Sequence, residues 1–114
     1  MTIEEITARI RTFRDERDWK QFHNPKEMAV AIAVEAGELL EHFTWKTAAQ
    51  SEHCAQEKRE QISEEMADVA ILLFEMADNI GVNLAHSIET KLAKNAVKYP
   101  VEKARGSNRK YNEL

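Results

Sequence analysis

Met28-Ala29-Val30-Ala31-Ile32-Ala33-Val34-Glu35-Ala36-Gly37-Glu38-Leu39-Leu40-Glu41-His42-Phe43, residues 28–43, combines an apolar stripe with a pair of carboxylates one helical turn apart. Met28, Ile32, Ala36, Leu39 and Phe43 recur at the helical repeat and fill one arc of a helix. Glu35 falls at the edge of that arc with Glu38 next to it, and their i, i+3 spacing brings the two side chains to about 5–6 Å at Cβ. Glu65-Met66-Ala67-Asp68 repeats the device. There Ile62, Met66, Val69, Leu73, Met76 and Ile80 form the arc, and Glu65 and Asp68 border it. If the two stripes pack together, four carboxylates meet at the seam.

Four carboxylates in one place repel one another and are costly to desolvate without a compensating cation. Oxygen ligands alone favour a hard divalent ion, magnesium, manganese or calcium, over zinc, with magnesium the expected cofactor and manganese possible. Gly37 costs ~1 kcal/mol relative to alanine in a helix interior. It lies between the two expected ligands, where space for a metal or its water would offset that loss. A single acidic pair on a helix is more often a solvated edge, and that reading stays open for each pair taken alone. Two pairs, each flanking an apolar stripe, shift the balance towards a metal site at Glu35, Glu38, Glu65 and Asp68, with Glu38 expected to be catalytic as well. Glu41, one further i+3 step along, is either a water-orienting base or simply solvated, and His42 reads as a hydrogen-bonding bystander.

The chain of 114 residues is expected to be one domain, 1–114, all-α, with apolar residues at 43%, charged residues at 32% and only 3 Gly and 2 Pro. A formal net charge of −4 argues against a nucleic-acid polymer as partner, because a duplex-binding surface needs a basic footprint. A lone Cys54 excludes an intramolecular disulfide, and no apolar run reaches membrane-spanning length. The start of the chain shows no secretory pattern, so the expected location is the cytoplasm, away from membranes.

Four main helices are expected. The first covers about residues 2–18, with Thr2 and Glu5 as a capping box, Ile3, Ile6, Ile10 and Phe13 inward, and its arginines mostly outward. Asn24-Pro25-Lys26-Glu27 starts the second, with Asn24 as N-cap and Pro25 at the first helical position. The third opens near Ser51 with a solvated half that includes Cys54, continues through Asp78 and is closed by Gly81. Asn83 caps the fourth, which turns Leu84, Ile88, Leu92 and Ala96 inward and stops before Tyr99-Pro100. Residues 98–114 are expected to form an extended, basic tail. The third and fourth helices carry apolar residues on more than one face, Phe74 opposite Val69 being one case, so the bundle is expected to assemble with copies of itself.

Between the first two helices, Trp19, Phe22 and His23 belong to neither stripe. They either plug the gap between helices or wall a pocket for a nucleobase, where stacking on an aromatic face is worth about 1–3 kcal/mol. Trp45 poses the same choice. No glycine-rich phosphate loop occurs, so phosphates would have to be held by metal ions and by side chains such as Lys91, Lys94, Lys98 or Arg105.

Glu35-x-x-Glu38 followed by Glu65-x-x-Asp68 resembles the paired signature of the MazG-like, all-α nucleoside triphosphate pyrophosphohydrolases. The runs Arg17-Asp18-Trp19-Lys20-Gln21-Phe22-His23-Asn24-Pro25-Lys26 and Phe43-Thr44-Trp45-Lys46 extend the likeness to the dCTP pyrophosphatase branch. The tail adds Lys98-Tyr99-Pro100, Arg105-Gly106-Ser107 and Lys110-Tyr111, so the likeness spans nearly the whole chain. The resemblance implies a Mg²⁺-dependent enzyme that converts a nucleoside triphosphate, dCTP or a modified dCTP first, to the monophosphate and pyrophosphate. It implies a homodimer or homotetramer, and a substrate site that draws on Trp19, Phe22, His23, Trp45, Lys98 and Arg105. Ile10 stands where some dCTP-preferring relatives have histidine, and Thr44 where glutamine is usual, which keeps a broad house-cleaning hydrolase as the alternative. A non-catalytic helical interaction module is the reading from outside the enzyme class.

Overall fold

A computed structural model describes residues 1–114, which form helices and connecting turns with no strand. The helices are α1 (Ile3–Glu16), α2 (Pro25–Glu41), α3 (Ala48–Glu57), α4 (Arg59–Asn79), α5 (Leu84–Lys98) and the single turn α6 (Val101–Ala104). Short 3₁₀ turns occupy Lys20–Phe22 and Tyr111–Glu113. Two compact units result, Met1–Gly81 and Val82–Leu114.

The starts of the helices follow from their caps. The Thr2 hydroxyl accepts from the Glu5 amide at 3.1 Å, and the Glu5 carboxylate accepts from the Thr2 amide, which completes the capping box. Asn24 Oδ1 accepts from the Glu27 amide at 2.9 Å, with Pro25 at the first helical position. Thr47 and Gln50 form a second capping box at α3, and Asn83 caps α5. Gly81 follows α4 with φ 74°, a left-handed conformation that glycine adopts without a Cβ penalty.

In the first unit α2 packs along α4, and α1 lies against α4 as well. Met28, 1% exposed, sits at the centre with Ile10, Ile62 and Ala77. Burying a side chain of this size contributes about 1.5–3 kcal/mol. The expected third helix is in fact two, broken at Lys58, whose φ −106° and ψ 29° leave the helical region. No glycine or proline marks the break. It carries Cys54 to the end of α2, where the thiol is buried and donates to the His42 carbonyl at 3.2 Å. Cys54 is therefore a packed residue, not part of a solvated half-helix.

Two further expectations on α1 are corrected. Phe13 is half exposed at its stripe's end, while Arg14 is buried. The reason is tertiary, because α4 offers Arg14 a polar partner in Asn79. Arg11 reaches the same helix, with Nε and Nη2 donating to the two oxygens of Asp78 at 3.0 and 2.7 Å.

In the second unit α5 ends at Lys98, before Pro100 as expected. Its supposed inward stripe is largely uncovered: Leu84 is half-buried, but Ile88 and Leu92 are exposed along a shallow groove. The basic tail is not wholly extended, since it contains α6 and the Tyr111–Glu113 turn. Tyr111 packs edge-on against Tyr99, and the Lys98 ammonium sits 4.9 Å from the Tyr111 ring centre.

Candidate active site

Glu35 and Glu38 on α2 and Glu65 on α4 converge, each presenting a carboxylate oxygen so that the three lie within 4.8 Å of one another. The i, i+3 spacing aligns the first two, and the packing of α2 on α4 adds the third. Asp68 lies outside this tight group, yet its charge is among those that raise the pKa of both Glu35 and Glu65. Desolvation is the main cause of both shifts, followed by the neighbouring Glu38 carboxyl.

One oxygen of Glu35 and one of Glu65 are buried without any hydrogen-bond partner. Buried polar atoms are rarely left so, because each forgoes the solvation it had in water. These two oxygens belong to one acidic cluster, and a hard cation would satisfy both at once. At Gly37 an added Cβ would meet nothing within 4 Å, so the packing there does not require glycine. The donor set is all oxygen, which suits magnesium or manganese.

Beside the cluster is an open cavity of about 400 Å³ lined by Glu38, Glu41, His42, Lys58 and Glu65. His42, the expected bystander, thus faces the acidic group, and its charge partly offsets the upward shift at Glu65. Lys58, at the break between α3 and α4, also lines this wall. Sequence periodicity gave no hint of it.

The aromatic residues divide. Trp19 is 42% exposed, packs edge-on against Phe13 at 5.8 Å, and lies 6.3 Å from the His23 ring. Phe22 is exposed, and Trp45 projects into solvent at 98% exposure. Within the chain, then, neither Phe22 nor Trp45 is a buried plug. Trp45 also has φ 65°, a left-handed conformation that is strained for a bulky side chain. Asp18, just before Trp19, has φ 54°, so both aromatic loops turn through a left-handed residue.

His23 Nδ1 lies 2.6 Å from a buried Glu75 oxygen, which also accepts from Asn79. Sequence reading missed Glu75 and Asn79. The available signal was a lone carboxylate in the apolar run Ile71-Leu72-Leu73-Phe74-Glu75-Met76-Ala77. Lys98 and Arg105 belong to the second unit, where Lys98 is engaged with Tyr111.

The raised carboxyls make a pH prediction for the metal-free protein. Glu35 and Glu65 keep their protons in the fold at pH values where the unfolded chain, with carboxyls near 4.5, has lost them. The folded state then binds more protons, so stability falls as pH rises through that interval. Asp78 acts in the opposite sense. Held below 3.8 mainly by its hydrogen bonds from Arg11, it contributes stability above that value and loses it as pH falls through the lowered one. Melts in EDTA from about pH 4 to pH 8 should therefore show the highest Tm in the mildly acidic range, with Mg²⁺ raising Tm most at neutrality. A Tm that climbs steadily to neutrality in EDTA would contradict the carboxyl assignment.

An all-α architecture with three carboxylates converging across two packed helices defines a class of helical proteins whose acidic cluster is suited to a divalent cation. The MazG-like family matches residues 30–114. The dCTP pyrophosphatase 1 proteins of Rattus norvegicus and Homo sapiens are each 38% identical over 115 residues, an alignment that covers 99% of this chain and 68% of theirs. Among solved structures, a pyrophosphatase from Archaeoglobus fulgidus superposes with a TM-score of 0.82 at 37% identity, over 85% of this chain and 91% of that one. The chain belongs to the MazG-like family. It is an enzyme of the pyrophosphohydrolase class, which removes the non-catalytic module from consideration. No helix is long and apolar enough to cross a membrane.

Proposed function

We propose that this chain is a Mg²⁺-dependent nucleoside triphosphate pyrophosphohydrolase acting on dCTP or a modified dCTP. The observation that carries the reading is the pair of unpartnered buried oxygens on Glu35 and Glu65 within one carboxylate cluster. The relatives named for dCTP supply the choice of base.

In the reaction, water attacks the α-phosphorus, the bond from that phosphorus to the bridging α–β oxygen breaks, and pyrophosphate leaves with the electron pair. A divalent cation bound by Glu35, Glu38 and Glu65, with Asp68 beside them, would supply charge neutralisation and an activated water. Glu38, on the exposed side of the cluster and lining the cavity, is the carboxylate placed to orient the attacking water. Lys58 gives the cavity wall a positive charge where triphosphate oxygens would enter. Trp19, Phe22 and Trp45 offer accessible aromatic faces to a base. The strained, exposed indole of Trp45 supports such a role, because neither the strain nor the exposure serves the core. Lys98 and Arg105 are proposed as phosphate contacts.

The test is a panel of all deoxyribo- and ribonucleoside triphosphates, with products separated by chromatography. Turnover of dCTP to dCMP and pyrophosphate, several-fold ahead of the purine substrates, is expected. Equal kcat/KM for purines and pyrimidines would leave the enzyme class intact and replace the dCTP reading with a broad house-cleaning hydrolase. Ile10 favours that second reading, since a buried aliphatic side chain offers a base no hydrogen bond.

The reading includes self-assembly into a dimer or a dimer of dimers. It is supported by exposed apolar side chains on the helices that carry the site, including Val34 (54%) and Leu40 (65%) on α2 and Met66 (58%) on α4. Uncovered apolar surface on this scale is a common mark of an interface. Light scattering at micromolar concentration should report at least twice the 13.1 kDa chain mass. A monodisperse monomer would refute assembly. We place the enzyme in the cytoplasm, where a lone thiol such as Cys54 stays reduced.

A further inference from the structure

Arg14, Asn79, Glu75 and His23 form one chain of hydrogen bonds running from α1 through α4 to the aromatic loop. Arg14 Nη1 donates to Asn79 Oδ1 at 2.5 Å, and Asn79 Nδ2 donates to Glu75 Oε2 at 3.2 Å. The same oxygen accepts from His23 Nδ1 at 2.6 Å. The side chains of Arg14 and Glu75 are only 3% and 5% exposed.

The direction of this chain is fixed from its arginine end. A guanidinium has no acceptor, so it claims the carbonyl oxygen of Asn79 and turns the amide NH₂ towards Glu75. A carboxylate only accepts, so the proton of His23 must sit on Nδ1. In a neutral ring Nε2 is then left with a lone pair and no hydrogen. Buried ionic groups of this kind seldom improve stability over apolar residues of similar volume. What they do is fix one orientation and one tautomer of a side chain that keeps 22% of its surface accessible and adjoins Trp19.

We infer that Arg14, Asn79 and Glu75 are positioning residues that hold the His23 ring in one orientation with a proton on Nδ1, so that Nε2 of the neutral ring is the atom that accepts a hydrogen bond from a donor on the nucleoside. This rests on the nucleotide reading of the Trp19–His23 loop. The donor is either the exocyclic amino group of the base or a sugar hydroxyl. A carbonyl oxygen in the same place would face a lone pair and be rejected, which makes His23 a specificity determinant.

Two-bond ¹H–¹⁵N correlation spectra of the nucleotide-free protein read the tautomer directly and need no variant. Nδ1 should appear protonated and Nε2 bare; an Nε2–H tautomer or a doubly protonated ring in the wild type overturns the inference. Glu75→Met should release the ring to Nε2–H, the form a free imidazole prefers. Glu75→Gln, whose amide oxygen still accepts, should retain Nδ1–H. In kinetics, Glu75→Met should raise KM for dCTP about three- to tenfold, the worth of one neutral hydrogen bond, with kcat unchanged within about twofold. Glu75→Gln should stay near wild type.

Two analogues separate the sources of the donor. If it is the amino group, dUTP shows no further loss in Glu75→Met; if it is the 3′-hydroxyl, the dideoxy analogue of dCTP shows none. A KM for dCTP that does not move in Glu75→Met, or equal losses on dCTP and both analogues, would refute the specificity role. A wild-type enzyme that ignores dCTP would defeat the substrate reading, while the spectra would still decide the positioning of His23.

Discussion

Glu38→Gln is expected to lower kcat/KM by about 10²-fold or more, the scale of losing one member of a preorganised electrostatic site. Glu35→Gln, Glu65→Gln and Asp68→Asn should each cause a sharp loss as well. Glu35, Glu38 and Glu65 form the tight group, so their losses should exceed that of Asp68→Asn, which stands outside it. Folding should not suffer. Each amide removes a charge from a cluster whose crowding raises the pKa of Glu35 and Glu65, so the metal-free protein should melt no lower, and at neutral pH somewhat higher, than wild type. The benefit of Mg²⁺ to Tm should shrink in the same variants. Circular dichroism, melts with and without Mg²⁺, and steady-state kinetics together check this. Near wild-type turnover in Glu38→Gln or Asp68→Asn would remove that residue from the site.

Trp19→Ala and Trp45→Ala should raise KM for dCTP by the equivalent of about 1–3 kcal/mol, roughly 5- to 150-fold, with little change in kcat. The two differ in what else they disturb. Trp45 is 98% exposed, so its removal should leave Tm unchanged, because no buried contact is lost and alanine keeps the same Cβ at φ 65°. Trp19 packs edge-on against Phe13, so Trp19→Ala should also lower Tm modestly. A fall in Tm with KM unmoved would make these tryptophans structural. The contrast between them is sharpest at Trp45, where no buried contact within the chain competes with the binding explanation.

Local chemistry made much of this protein legible in its sequence. Thr2 with Glu5, Asn24 with Pro25, and Asn83 each fix a helix start through hydrogen bonds that span three residues or fewer, and Gly81 marks a stop through its own backbone freedom. The alignment of Glu35 with Glu38 follows likewise from the pitch of one helix. Which carboxylate joins them does not. Glu65 enters the tight group and Asp68 stays outside because of how α2 lies on α4, which is settled by packing between elements distant in sequence. The break at Lys58, unmarked by glycine or proline, is likewise seen only in the tertiary structure, where Cys54 lies buried at the end of α2. Arg14 and Glu75 show the limit most clearly. Periodicity assigns a charged residue to the surface because burial without a partner is prohibitive, and only the tertiary structure supplies the distant partners, Asn79 for Arg14 and His23 for Glu75.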